Sequence, residues 1–136
     1  MLSRSVTIGY TIIAVVLLLF VLSTERGESA QALQDLIVKN GKCSRCDLQN
    51  MDFSRRELDG VNFSWSNLDG ANFCLADLSN SIFIGASLIN TQFCGADLSE
   101  AILSYARLKN NQFDSAYMEG VIFSGVAGYY KGNDVF

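Results

Sequence analysis

An apolar residue recurs at every fifth position through more than half of this chain. The series runs from Leu48 to Phe123 without a gap, and every member is Leu, Phe or Met. Its sixteen members are Leu48, Phe53, Leu58, Phe63, Leu68, Phe73, Leu78, Phe83, Leu88, Phe93, Leu98, Leu103, Leu108, Phe113, Met118 and Phe123. The residue two positions before each member is mostly small, as at Ala71 and Ala96. A fixed repeat of this kind constrains the fold more than any other feature of the sequence.

A five-residue period fits neither of the regular secondary structures. In an α-helix five residues turn about 140°, which scatters the series around every face. In a straight strand an odd period sends alternate members to opposite sides. All sixteen residues can point at one axis only if the chain turns a corner every five residues. We therefore predict a solenoid, in which each coil buries its inward residues against its neighbours.

The repeats resemble those of the pentapeptide-repeat family, whose pattern is A-(D/N)-L-x-x. Ala76-Asp77-Leu78-Ser79-Asn80 and Ala96-Asp97-Leu98-Ser99-Glu100 match this pattern, and Ala71-Asn72-Phe73 matches its first part. The resemblance covers Cys46 to Gly125. It implies an all-β solenoid, a right-handed quadrilateral β-helix with four repeats in each coil.

A second spacing, of twenty residues, supports four repeats per coil independently of the resemblance. Similar outward residues recur at this distance. Examples are Cys74 and Cys94, Asp77 and Asp97, and Ile82, Ile102 and Ile122. The repeats, residues 46–125, therefore make about four coils, roughly 19 Å tall at a strand spacing near 4.8 Å.

Residues 1–28 differ from the repeats and are predicted to form an N-terminal signal or transmembrane anchor. Residues 6–22 carry no charge, and residues 12–22 are wholly apolar. As a helix this run spans roughly 26 Å, slightly less than the hydrocarbon thickness. Arg4 precedes the run and acidic residues follow it, so the positive-inside bias places the repeats across the membrane. Two alternatives stay open: an uncleaved membrane anchor or a cleaved signal peptide.

Both ends of a solenoid need a cap, because their backbone groups and apolar rungs lack a neighbouring coil. Residues 29–45 are predicted to form a capping helix, from Ser29 to Lys39, and a C-x-x-C link. Leu33, Leu36 and Ile37 share the helix face that we expect to cover the first coil. Residues 126–136 are predicted to form a C-terminal cap or tail. Its apolar residues are Val126, Tyr129, Tyr130, Val135 and Phe136.

The link between the helix and the repeats reads Cys43-Ser44-Arg45-Cys46-Asp47-Leu48. This opening resembles the C-x-x-C-D-L that follows a short helix in exported cyanobacterial and plastid lumenal members of the family. The resemblance implies that the repeats lie in a thylakoid lumen or a periplasm. That location agrees with the topology predicted from the N-terminal residues.

Four cysteines behind a membrane-targeting segment indicate an oxidising compartment. Cys43 and Cys46 are expected to point inward at the lower end of the solenoid, as a structural disulfide or as two buried thiols. A redox-active pair is the enzymatic alternative. Cys74 and Cys94 are expected to stack on adjacent coils and to point outward, either bonded or as two thiols. Four sulfur atoms on different faces cannot converge on a zinc ion, so no metal site is predicted.

One side of the predicted solenoid is apolar on the outside. We call it the isoleucine face. Its outward positions hold Trp65, Ile82, Ile84, Ile102, Tyr105 and Ile122. A contiguous apolar patch of this kind usually marks a contact with a partner. Three occupants of this face stay open: a separate protein, a second copy of the chain, or the chain's own tail. A simple ladder of stacked isoleucines without an occupant also stays open.

The neighbouring acidic face carries Glu57, Asp59, Asp77, Asp97, Glu100 and Glu119, which we interpret as a solvated surface. The whole chain has a net charge of −4, which disfavours nucleic-acid binding. It contains no His and no phosphate-binding or nucleophile motif, so we predict no enzyme, cofactor or small-molecule substrate.

The sequence therefore predicts a non-catalytic, membrane-tethered structural or protein-binding module on the lumenal or periplasmic side. Its partners are protein subunits of a membrane complex or further copies of itself, and residues 6–22 contact the membrane. The resemblance to the family implies an accessory or assembly subunit of a photosynthetic or other bioenergetic complex. The alternative is a thiol-redox protein that uses Cys43 and Cys46.

Overall fold

The computed structural model describes residues 30–127. The repeats belong to one compact unit that begins at Leu36. Within it each coil pairs in parallel with the next coil, and the paired residues are twenty positions apart, as predicted. The N–H of Phe63 donates to the carbonyl of Ile82 at 2.8 Å, and the N–H of Ile82 donates to the carbonyl of Val61 at 3.0 Å. The solenoid prediction is confirmed.

The pairings form four columns, one on each side of the coil. Two strands are long enough to be regular in the described residues, β1 at Ser87–Ile89 and β2 at Arg107–Lys109, and they pair with Ser87 opposite Arg107. The other pairings are single bridges, because the chain leaves the extended conformation at each corner. The columns are 42-62-82-102-122, 47-67-87-107-127, 52-72-92-112 and 57-77-97-117.

The apolar series fills the interior as four ladders. Every member from Leu48 to Leu108 has an exposed fraction of 0%. Two opposite sides supply Phe: Phe53 stacks on Phe73 with ring centroids 5.1 Å apart, and Phe63 stacks on Phe83 at 5.2 Å. Phenylalanines on opposite sides meet edge to face. Leu occupies the other two sides, except for Met118 at the upper end. The interior is close-packed like the core of a globular protein.

A tight turn at every corner explains the five-residue period. Every fifth residue from Arg45 to Gly125 has a positive φ. At one such corner Gly70 has φ +72°, and the N–H of Ala71 donates to the carbonyl of Leu68 at 3.0 Å. A positive φ at the third residue with this hydrogen bond defines a type II turn, which Gly and Asn favour.

The Asp or Asn that precedes many central residues closes a second, local hydrogen bond. Oδ1 of Asn62 accepts the N–H of Ser64 at 2.9 Å, and Oδ1 of Asn72 accepts the N–H of Cys74 at 3.0 Å. The extended segment on each side is only about one residue long, so the N–H of the second residue after the Asp or Asn has no partner in the adjacent coil. The side-chain acceptor supplies that partner, which accounts for the D/N position of the repeat.

The helix that precedes the first coil, α1, occupies residues 30–40 of the described chain. It ends at Gly41, with φ +62°, whose N–H donates to the carbonyl of Ile37 at 2.8 Å. Ile37 is buried in the core, but Leu36 is 53% exposed and Leu33 is 37% exposed. The prediction that all three are covered is therefore wrong for Leu33 and Leu36. Leu36 projects about 100° away from Ile37 around the helix.

The upper end of the solenoid is less completely covered than its middle. Phe113, Met118 and Phe123 are partly buried, in contrast to the fully buried members below them. The tail residues Tyr129, Tyr130, Val135 and Phe136 lie outside the described residues, as do Ser29 and the N-terminal segment 6–22. Among residues 30–127, no helix combines the length and the apolar character that a membrane crossing requires.

Candidate protein-interaction face

The isoleucine face is built on one uninterrupted column of paired residues. Asn62, Ile82, Ile102 and Ile122 occupy successive coils and pair through parallel bridges. Adjacent members therefore lie about 4.8 Å apart. Ile122 is 48% exposed, and Ile82 and Ile102 are partly buried. The predicted column exists in the structure, and its binding role stays a prediction.

The isoleucines replace residues that would otherwise stabilise the backbone. Asn62, at the base of the column, caps the N–H of Ser64 with its side-chain oxygen. An isoleucine has no acceptor, so the three coils above lose this hydrogen bond, which contributes about 1 kcal/mol. Elsewhere the repeat keeps the acceptor, as at Asp97, whose Oδ1 lies 2.9 Å from the N–H of Ser99. An apolar column that replaces capping residues is consistent with a role in binding.

Two aromatic residues stand at the corner that borders the column. Trp65 is 60% exposed and Tyr105 is 63% exposed. They occupy the same corner two coils apart, and Gly85 and Gly125 hold the alternating positions. Ile84 is partly buried between them, beside the buried Ser104. The structure thus brings all six predicted contact residues to one side of the solenoid.

The isoleucine face carries no ionised side chain above its first rung. Lys42 and Arg45 lie at its base, and from Asn62 upward the outward positions are Asn, Ser, Gly, Ile, Trp and Tyr. The acidic face differs, because Glu57, Asp77 and Asp97 stack in one column. The corner between the two surfaces holds Gly60, Asn80, Glu100 and Gly120, so one carboxylate borders the isoleucine column.

Hydrogen bonds stabilise the carboxylates outside this face in their charged form. The Ser99 hydroxyl donates to Asp97 Oδ1 at 2.6 Å, and this bond, with the Ser99 N–H, lowers the pKa of Asp97 below 3.8. The backbone and hydroxyl of Ser54 do the same for Asp52, and its pKa is also lowered. Charged carboxylates of this kind keep a surface hydrated.

The first cysteine pair closes the lower end of the solenoid. Cys43 is bonded to Cys46, with Cα atoms 5.6 Å apart, and Cys43 is buried. The Ser66 hydroxyl, one coil further on, donates to the carbonyl of Cys43 at 2.6 Å and accepts the N–H of Cys46 at 3.1 Å. A redox pair needs an accessible thiol, so this geometry favours the structural bridge.

The second cysteine pair lies on the side opposite the isoleucine face. Cys74 and Cys94 join adjacent coils, with Cα atoms 4.5 Å apart. Both are partly buried, and Leu75 beside them is 56% exposed. None of the four cysteines is free, and residues 30–127 contain no cluster of acidic or cysteine side chains that would hold a metal ion.

One arrangement was not predicted from the sequence: a glycine accommodates a large corner residue of the coil below. A Cβ placed on Gly85 would overlap the Trp65 ring, and a Cβ on Gly125 would lie 2.6 Å from Cδ1 and Cε1 of Tyr105. Leu75 and Gly95 repeat this arrangement at 2.8 Å. The sequence carries the signal, since each glycine follows its large partner by twenty residues.

The comparisons with known proteins agree on the repeat. The sequence profile of "Pentapeptide repeats (8 copies)" matches residues 57–93 and 91–126. Comparison with curated protein sequences gives no match.

Solved structures provide the third comparison. HetL, a pentapeptide repeat protein involved in heterocyst differentiation regulation from the cyanobacterium Nostoc sp. strain PCC 7120, is 22% identical with TM-score 0.54, over 63% of this chain and 46% of its own. QnrB1, a plasmid-mediated fluoroquinolone resistance protein, is 21% identical with TM-score 0.52, over 62% of this chain and 49% of its own. A pentapeptide repeat protein from the Arabidopsis thaliana thylakoid lumen is 29% identical with TM-score 0.39, over 68% of this chain and 64% of its own. The chain thus spans about half the length of the first two structures, which share its fold.

Proposed function

Since this chain belongs to the pentapeptide-repeat family, whose right-handed β-helices are generally non-catalytic structural and protein-interaction modules, we propose that it docks a protein partner at a membrane. The isoleucine face binds the partner. The N-terminal segment holds the solenoid at the lumenal or periplasmic surface, where it serves as an accessory or assembly subunit of a membrane complex. The uncharged, apolar column of Ile82, Ile102 and Ile122 is the observation that carries this proposal.

The size of the face supports a partner held in the same membrane over a partner free in solution. Four coils at 4.8 Å and a side of five residues at 3.3 Å give a flat area of roughly 320 Å². A stable complex in solution buries about 800 Å² on each partner. A complex with a partner in solution built on this face alone would therefore be weak. A partner in the same membrane needs less contact area, because tethering raises its effective concentration to about the millimolar range.

Tethering itself rests on the sequence of residues 6–22, which are long and apolar enough for an anchor or a signal segment. We propose that the full chain stays with the membrane as an uncleaved anchor. Washing isolated membranes at alkaline pH separates peripheral from embedded proteins. The full-length chain should remain in the membrane pellet with its N-terminal peptides detectable by mass spectrometry. Release into the supernatant without these peptides would indicate a cleaved signal peptide.

The binding role of the face is tested by adding one charge to it. Ile102→Glu places a carboxylate in the middle of the apolar column, and Gln112→Glu adds the same charge to the exposed opposite side. Each full-length variant is purified from gently solubilised membranes, and the recovered proteins are quantified by mass spectrometry. We expect a partner that is recovered with wild type and with Gln112→Glu to be lost with Ile102→Glu. Equal recovery with both variants would refute the proposal.

A further inference from the structure

We propose that Trp65 and Tyr105 are the anchor residues of the partner contact, and that Gly85 and Gly125 are positioning residues that hold the two rings in place. This inference rests on the function proposed above and specifies how the isoleucine face binds. The partner surface is uncharged and apolar, and it contains two hollows that receive the two rings.

The turns do not require an aromatic residue at either corner. Trp65 has φ +63° and Tyr105 has φ +60°, in the left-handed region that bulky side chains rarely adopt. The same turn position elsewhere holds glycine six times and asparagine four times, and the other five corners hold Arg45, Arg55, Leu75, Glu100 and Ser115. A tryptophan and a tyrosine at this position are therefore disfavoured locally. Both aromatic residues border one apolar face.

Each ring rests on the backbone of the coil above it. A Cβ on Gly85 would overlap three atoms of the Trp65 ring, Cδ2, Cε3 and Cζ3, so that ring lies across the Gly85 Cα. The Tyr105 ring lies across Gly125 in the same way. Only glycine leaves room for such contacts. One surface of each ring is thus supported by backbone, and more than half of each residue stays exposed.

This support holds the rings in place before a partner arrives. An aromatic side chain that is already ordered loses little conformational entropy on binding, and preordered aromatic residues are typical anchors of protein interfaces. The two corners are two coils apart, about 10 Å at a spacing of 4.8 Å. The partner's two hollows must have this separation. The absence of ionised groups between the two rings, at Ile84, Gly85 and Ser104, matches an uncharged partner.

The test displaces one ring without removing any atom from the face. In Gly85→Ala the new methyl group displaces the Trp65 ring from its position across the Cα of residue 85. Gly95→Ala is the matched control, since it has a similar φ, +63° against +66°, and displaces Leu75 on the opposite side. Trp65 is the only tryptophan of the chain, so its fluorescence reports the ring directly. Acrylamide should quench Trp65 more strongly in purified full-length Gly85→Ala, and Gly95→Ala should match wild type.

The same variants are then compared in the co-purification experiment described for Ile102→Glu. We expect recovery of the partner to fall about tenfold with Gly85→Ala and to stay unchanged with Gly95→Ala. In a Trp65→Ala background, Gly85→Ala should cause no further loss, because the glycine acts through the ring. Equal losses with both alanine variants, or unchanged quenching, would overturn this inference. If Ile102→Glu removes the partner and Gly85→Ala does not, the inference fails while the proposed function stands.

Discussion

The stacked phenylalanines predict that the same substitution destabilises the middle of the solenoid more than its upper end. Phe83 is fully buried and stacks on Phe63 at 5.2 Å, with Phe73 and Phe93 in edge contact at 6.0 and 6.3 Å. Phe113 is partly buried and stacks on Phe93 at 5.1 Å. Replacing a buried Phe by Ala costs about 3 to 5 kcal/mol, because apolar contact is lost and a cavity remains.

We therefore expect Phe83→Ala to lower the free energy of unfolding by about 4 kcal/mol and Phe113→Ala by about half as much. Urea unfolding of the full-length chain at one fixed detergent concentration, followed by circular dichroism, measures both values. The difference reflects the coils on either side of Phe83, since a solenoid is stabilised by contacts between adjacent coils. Equal losses for the two variants, or a loss below about 1 kcal/mol for Phe83→Ala, would refute the reasoning.

Two further predictions concern the disulfides and the pH dependence of stability. Replacing Cys74 and Cys94 by Ser should lower the free energy of unfolding by about 3 kcal/mol, which is the chain-entropy estimate for a loop of this length. Non-reducing mass spectrometry should show the wild-type bridge as a loss of two hydrogens. The hydrogen bonds that lower the pKa of Asp97 stabilise the fold at pH values above its ordinary pKa of 3.8. This contribution disappears as the pH falls through the pKa of the folded state. Asp97→Asn should therefore lose less stability than wild type on acidification below that value, and an NMR titration of the wild-type carboxyl carbon should give a midpoint below 3.8.

The repeat sequence determines most of the fold because every position in it has a fixed geometric role. The central Leu or Phe must be inward, the Asp or Asn before it caps a local N–H, and the second residue after it sits in the left-handed corner. A spacing of twenty then places Ile82 beside Ile102, and Cys74 beside Cys94, without further information. These features follow from counting residues.

Features that depend on side-chain direction or on segment ends were harder to predict. Leu36 is apolar and adjacent to Ile37, yet it is exposed, because helix rotation and not hydrophobicity decides which of the two faces the core. The support of Trp65 by Gly85 depends on the path of one side chain to the next coil. Sequence periodicity gives the corner of each residue but not that path.

Photo-crosslinking from the isoleucine face tests the central claim most directly. A photoreactive amino acid is placed at Ile122 in the full-length chain, and in a control at Tyr117, which is 71% exposed on the acidic side of the same coil. After irradiation of isolated membranes, the probe at Ile122 should form a crosslink to one protein, which the probe at Tyr117 does not reach and Ile102→Glu abolishes. Crosslinks of equal yield from both positions, or a crosslink that persists with Ile102→Glu, would contradict the account.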